Sequence, residues 1–544
     1  MVKIKNIVAS VSLVGILMFA GVVNISNHTD IQAAAGDEVV LQWNKNFGGS
    51  DQDRFSSVVA TPDGGCVVAG DTVSVDGDLT GMDKGGDDAI IVKYSSDGTV
   101  VWKNTFGGSD DDLFRSVTMA SDGGFVAVGY SWSNDGDLLG LNKGDSDAII
   151  AKYSSNGVLE WSKNFGGNRD DYFESVIPDS DGGVIVAGYS NSTDGDLVGL
   201  NKGSSDAIIV KYSANGTLEW NKNFGGSEGE IFFSATSVLD GGYVAVGYSI
   251  SNDGDLAGQN KHWEDAIIAK FSSDGTLEWG RDFGGYGFDL FWSVASTPDG
   301  GCIAVGISAG STDGDLTGID KGGDDAIIVK YSSDGTVVWK KTFGGSDFDS
   351  FGLIISAPDG GYVVLGGSGS TDGDLTGTDI SDGWRIIVKY NSNDDIEWIK
   401  RFDFDGGSVA SIAMTSDGGY IIAGYVYSAY GYMDAVIAKY LDMSEPILVI
   451  PPLLEPDTPN GSANSDGCNP VKVTLKTNVP IVVPNGWTKV DDLTYTKVYT
   501  RNATESVPMV GLNGVTGENI EIVIDSITCR PTNPILPPNT GLKK

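Results

Sequence analysis

The chain has 544 residues, with 35 Lys plus Arg against 74 Asp plus Glu and a formal charge of −39. So acidic a chain repels phosphate backbones and anionic lipid surfaces, which excludes nucleic acid as an expected partner. Its 20 Phe, 20 Tyr and 12 Trp are enough to build packed cores, and its 2 His exclude sites made of clustered imidazoles.

In chain order, the first element is a targeting segment. Lys3 and Lys5 precede an apolar run from Ile7 to Val23, and Ala33, Ala34 and Ala35 follow a polar stretch. A charged start, an apolar middle and small residues before a cut describe a secretory signal. Residues 1–35 are therefore expected to be removed and the chain exported; an uncleaved anchor is the other reading. No later segment approaches the ~20 apolar residues of a membrane span.

From 36 to 441 the chain repeats itself. Trp recurs at 43, 102, 161, 220, 279, 339 and 398, mostly followed by Phe-Gly-Gly, as at Phe47-Gly48-Gly49. Asp-Gly-Gly recurs from Asp63 to Asp417, and an apolar strand recurs from Asp88–Tyr94 to Asp434–Tyr440. Each unit of about 59 residues reads as four short strands; in the first they lie near 54–60, 65–72, 88–94 and 99–106. The spacing predicts an all-β, seven-bladed β-propeller. The repeats open with an outer-strand sequence, Val39–Lys45, and end on a third-strand sequence, Ala435–Tyr440. Pairing the two closes the ring and removes an exposed sheet edge. Tight Asp-Gly turns such as Asp63-Gly64 and Asp97-Gly98 mark one face, and the longer 48–53 and 74–87 connections mark the other. Function is expected on the long-loop face.

The recurring string DGGYVAVGYS…NDGDL…NKG…DAIIAK…SSDGTLEW…FGGS resembles the bacterial secreted β-propeller repeats (SBBP type) of extracellular proteins, over about residues 38–440. That resemblance implies a fold and export, with no single activity. Ser95–Trp102 is also similar to the Asp box of sialidases, but the arginine cluster that holds a sialic acid carboxylate has no counterpart, so the box reads as turn and packing chemistry.

Residues 442–467 are a Pro-rich linker. Residues 468–530 alternate in strand fashion, and through Val483–Lys489 and Thr494–Lys497 they resemble the small Ig-like β-sandwich modules of Gram-positive surface proteins. Cys468 and Cys529 flank this module; in an exported protein they are placed to pair, and two free thiols are the alternative. Cys66 and Cys302 share one repeat slot and read as small buried apolar residues. The tail, 531–544, carries Pro537-Pro538-Asn539-Thr540-Gly541, similar to a sortase signal.

Residues 1–35 carry a net +1 and residues 441–544 a net −3, which leaves −37 for the propeller. Much of it lies in six Asp-Gly-Asp-Leu motifs: Asp76/Asp78, Asp135/Asp137, Asp194/Asp196, Asp253/Asp255, Asp313/Asp315 and Asp372/Asp374. Two carboxylates one residue apart can converge on a hard cation such as Ca²⁺, the one cofactor the sequence suggests. The alternative is loop-stiffening turns, with Lys84, Lys143, Lys202, Lys261 and Lys321 neutralising the acids.

Where the repeat breaks, a side chain is free to recognise something. Blade four offers His262 and Trp263, blade six Trp384 and Arg385, and blade seven Tyr427, Tyr430 and Tyr432. Such aromatics stack on sugar faces or anchor proteins, or pack locally around altered loops. One innermost-strand slot also varies, as Ser56, Arg115, Glu174, Phe233, Trp292 and Gly352; it faces either the channel or the next blade. Nearly every acid is repeated, whereas an active site is a unique constellation. The expectation is an exported, monomeric surface scaffold binding a glycan or an extracellular protein. A carboxylate-based glycan hydrolase or lyase and a structural wall component are the alternatives.

Overall fold

The computed structural model describes residues 2–3, 39–259, 263–377, 385–401, 407–416, 418–427, 432–442, 447–450, 471–477, 488–491, 494–499, 505–508 and 520–524. They fall into two bodies, Val39–Leu441 and the two flanks joined as one unit.

The larger body is a seven-bladed propeller of seven four-stranded antiparallel sheets. Blade one runs Asp53–Ala60, Cys66–Thr72, Asp88–Tyr94 and Val100–Phe106 from the axis outwards. The expected strands differ from these by one residue at most. Strands form because β-branched residues alternate with small or polar ones between turn signals. The turns hold: Gly64 and Gly98 adopt φ of +80° and +79°, a region that glycine enters without a Cβ clash.

Closure is as expected from the chain ends. Val39–Phe47 pairs with Met433–Asp442 as the fourth strand of blade seven. Seven core clusters fill the seven blade interfaces among the described residues. One of them spans the seam, joining Phe55 and Val68 of blade one to Ile421 and Ile437 of blade seven. A ring of serines ties the inner strands together: Ser57 Oγ accepts the Val117 N–H at 3.1 Å, and Ser116 Oγ the Val176 N–H at 3.2 Å. Across the seam Ser411 Oγ accepts the Val58 N–H at 3.1 Å.

The repeated Trp is structural. Trp43 Nε1 donates to the Ser96 carbonyl at 3.0 Å, so an outer-strand indole lies on the tight turn of the next blade. There Ser95 Oγ and the Thr99 N–H both donate to Asp97, at 2.6 and 3.1 Å, which is the turn role expected of the Asp-box fragment. Cys66 and Cys302 are buried and unpaired, and burial pushes the Cys302 thiol up to about 12.

In the smaller body, Ile520–Ile524, Val471–Thr477, Thr494–Tyr499 and Thr488–Asp491 are neighbours in one sheet, with Val2–Lys3 at its edge, and Ile447–Ile450 pairs with Glu505–Pro508. The signal segment beyond residue 3, Cys468, Cys529 and the sortase-like tail lie outside the described residues. No helix among the described residues is long and apolar enough to cross a membrane.

Candidate functional site

The two long connections share one face and interlock. In blade one, Asp76 Oδ1 accepts the Ser50 N–H at 2.7 Å, and Asp78 Oδ2 accepts the Gly48 N–H at 3.3 Å. Behind them Asp53, fully buried, accepts the Gly49 N–H and the Ser74 hydroxyl, both at 2.9 Å. The first acid repeats this bond: Asp135, Asp194, Asp253, Asp313 and Asp372 each accept a backbone N–H at 2.7–2.8 Å. In four of the six motifs the second acid reaches sideways to a lysine of the neighbouring blade. Lys143 bonds Asp196 at 2.5 Å and Lys202 bonds Asp255 at 2.6 Å. Lys84 pairs with Asp137 and Lys321 with Asp374 in the same way, while Asp315 lies 3.5 Å from Lys340. The two carboxylates of each motif thus serve different partners. Among the described residues no three His, Cys, Asp or Glu side chains cluster as metal ligands.

With the repeated acids occupied, the unrepeated side chains distinguish this face. Trp263 is 57% exposed, and its ring centroid lies 6.1 Å from Phe288, which is 47% exposed. A parallel bridge between Glu264 and Phe288 joins these stretches of blades four and five, and Tyr286 stands exposed beside them. Arg385 opens the third strand of blade six, half-buried opposite Gly367. Tyr427 is exposed at the end of the second strand of blade seven, edge-on to Tyr425 at 5.8 Å, and Tyr432 is exposed just before the third strand. Blade five separates Trp263 from the residues of blades six and seven. His262, Trp384 and Tyr430 lie outside the described residues.

The variable inner slot falls at a β-bulge in every blade. In blade one the register shifts between Phe55 and Ser57, so Ser56 is the extra residue; Arg115, Glu174, Phe233, Trp292, Gly352 and Ala410 are its counterparts. A bulge leaves its extra residue out of the ladder and re-aims it. Consecutive inner strands pack around the axis, and in two places the slot side chains of neighbouring blades meet. Arg115 Nε lies 3.8 Å from Glu174 Oε2, and the Phe233 and Trp292 rings sit 4.6 Å apart. Arg115 and Glu174 thus stand as ion-pair neighbours from adjacent blades.

Sequence reasoning missed the layer behind this slot. Arg54 donates to Asp71 Oδ2 from Nε at 2.9 Å and from Nη2 at 2.6 Å. Burial pushes the Asp71 carboxyl up to about 6, against the pull of Arg54. Arg115 Nη2 donates to the Tyr130 hydroxyl at 3.0 Å; Tyr130 packs against Tyr172 at 4.4 Å, and Tyr172 stacks on Tyr189 at 4.8 Å. Burial also raises the Glu174 carboxyl, opposed by Arg115. The available signal was the residue after the second-strand glycine. It is Tyr130, Tyr189, Tyr248 and Tyr425 in four blades but Asp71 in blade one.

No family model matches the chain. The regulatory protein FlaEY of Caulobacter vibrioides is 25% identical over 241 residues, which is 41% of this chain and 25% of that protein; the match thus spans a quarter of that relative's length. Among solved structures, hydrazine synthase of Kuenenia stuttgartiensis is similar at TM-score 0.43 and 9% identity, over 71% of this chain and 96% of that one. A Dyadobacter fermentans protein of unknown function is similar at TM-score 0.38 and 13% identity, over 74% and 99%. These are likenesses of fold.

Proposed function

We propose that this chain is an exported, surface-associated binding scaffold whose long-loop face takes a glycan or an extracellular protein. The observation that carries the reading is the exposed aromatic group Trp263, Tyr286 and Phe288, assembled once on a face whose repeated acids are already bonded. Exposed clustered aromatics on a rigid sheet edge supply stacking area at little entropic cost. Two unrepeated carboxylates, Asp71 on the second strand of blade one and Glu174 on the innermost strand of blade three, each face an arginine, which suits recognition better than acid–base catalysis. In this reading residues 468–530 are an Ig-like spacer and 531–544 its attachment tail.

Binding to immobilised glycans and to extracellular protein fractions tests it. Trp263→Ala with Phe288→Ala is expected to weaken capture of an extracellular protein at least tenfold with the melting temperature unchanged. Capture equal to that of the parent chain would remove the loop-face assignment.

We further propose that the Asp-Gly-Asp motifs act as loop staples rather than calcium ligands. The melting curve is then expected to be the same with 5 mM Ca²⁺ and with chelator, to within about 1 °C; a ligand at a hundred times its Kd stabilises by ~2.7 kcal/mol, which such a curve resolves. A clear calcium-dependent rise would return the motifs to metal binding.

A further inference from the structure

We propose that the mouth of the central channel is a pocket for the uncharged end of a saccharide chain. This deepens the scaffold reading and rests on it. Arg115, Glu174, Phe233 and Trp292 occupy the bulge slot in four consecutive blades and form one continuous arc. The remaining blades put Gly352, Ala410 and Ser56 in that slot, so one side of the mouth is large and polar-aromatic and the other small. A Cβ placed on Gly352 would find no described atom within 4 Å, which shows open space there.

The arc has unused bonding capacity. Arg115 Nη2 is engaged with Tyr130 and its Nε is buried, but the guanidinium side chain as a whole stays 39% exposed beside Glu174. Glu174 stands at 3.8 Å from Arg115 Nε, an ion-pair distance too long for a direct hydrogen bond. A guanidinium has five donors and a carboxylate about four acceptor sites, so the pair can receive several hydroxyl groups. Trp292 is 38% exposed and is braced on one side by Phe233 at 4.6 Å. That leaves indole surface for the C–H face of a pyranose ring.

Charge selects the ligand class. Arg115 and Glu174 together are neutral, so nothing in the arc compensates a net charge on the ligand. The surrounding propeller carries about −37, which repels uronates, sulfated sugars and phosphates. A neutral hexopyranose terminus satisfies the stack and the charge pair at once.

The test is titration of the full-length chain with neutral oligosaccharides and with matched uronates, read by calorimetry and tryptophan fluorescence. Parallel titrations use Trp292→Ala, Glu174→Gln, Gly352→Leu and, as a loop-face control, Trp263→Ala. Gly352 lies outside the positive-φ region, so leucine fits its backbone and fills the open side. Neutral sugars are expected to bind, with at least tenfold loss in Trp292→Ala and Gly352→Leu, a smaller loss in Glu174→Gln and none in Trp263→Ala. Binding that survives Gly352→Leu would put the pocket elsewhere, and preference for uronates would overturn the ligand class. A chain that captures an extracellular protein through Trp263 but binds no sugar loses this proposal and keeps the scaffold reading. A chain that binds neither loses both.

Discussion

Replacing Gly166 with alanine is expected to destabilise the propeller by ~4 kcal/mol, as a strained φ, ~1–3 kcal/mol, adds to lost hydrogen bonds to a charged group, ~1.5–3 kcal/mol each. Gly166 has φ +147°, and a Cβ there would stand 2.2 Å from Asp171 Oδ2 and 2.9 Å from Asp147 Oδ1. The crowding follows from the job of Phe165-Gly166-Gly167. The Gly167 N–H donates to Asp171 at 2.8 Å and the Gly166 N–H to Asp196 at 3.1 Å, so the turn wraps directly around carboxylates. Gly199 is the control: its φ is +77°, but a Cβ there meets nothing within 4 Å, so Gly199→Ala is expected to cost only ~1–2 kcal/mol of left-handed strain. Urea unfolding followed by circular dichroism compares them. Equal midpoints would mean that the acid-clasping turn contributes nothing beyond its φ.

Stability is expected to fall as pH rises from 5 to 8. Burial pushes Asp88, Asp147 and Asp325 up to about 6, against backbone N–H bonds from Lys84, Lys143 and Lys321, and it does the same to Asp71. The folded chain therefore holds protons that the unfolded chain has already released. For such groups the stabilisation is complete below the unfolded value, near 4, and is lost as pH climbs through the folded one. One site raised from 3.8 to about 6 accounts for roughly 3 kcal/mol at ~1.4 kcal/mol per unit. In the opposite sense Asp122 and Asp240 are held below their ordinary value by hydrogen bonds from Lys152 and Lys270. Their contribution is present above the unfolded value and is lost as pH falls through the lowered one, so the optimum lies near pH 4–5. The melting temperature is expected to drop several degrees between pH 5 and pH 8, and Asp147→Asn to flatten that slope. A flat or rising profile over the same window would contradict the assignment.

Most of the architecture was legible because the chain states it seven times. Strand expectations such as 54–60 and 88–94 met Asp53–Ala60 and Asp88–Tyr94, since period-two alternation and Asp-Gly turns are local signals. The candidate site was less legible. Trp263 stood out as a break in the repeat, but its partner Phe288 belongs to the next blade and meets it through a bridge that no local pattern announces. Arg54 meets Asp71 only because strand pairing sets the two opposite each other, and no local pattern announces that register.

The sequence by itself determined the repeat, the count of blades, the closing strand and the division into a tight-turn and a long-loop face. Each of these follows from spacing along the chain. Only the tertiary structure decided what the variable slot does. Periodicity says that Arg115, Glu174, Phe233 and Trp292 are equivalent, but they lie about 59 residues apart, and only circular packing of the inner strands with a bulge in each makes them neighbours. The same holds for the acids. One residue apart in sequence, Asp194 and Asp196 look like one ligand pair, yet their carboxylates reach the Asn168 backbone N–H and the Lys143 of a neighbouring blade, because the fold places a different partner beside each.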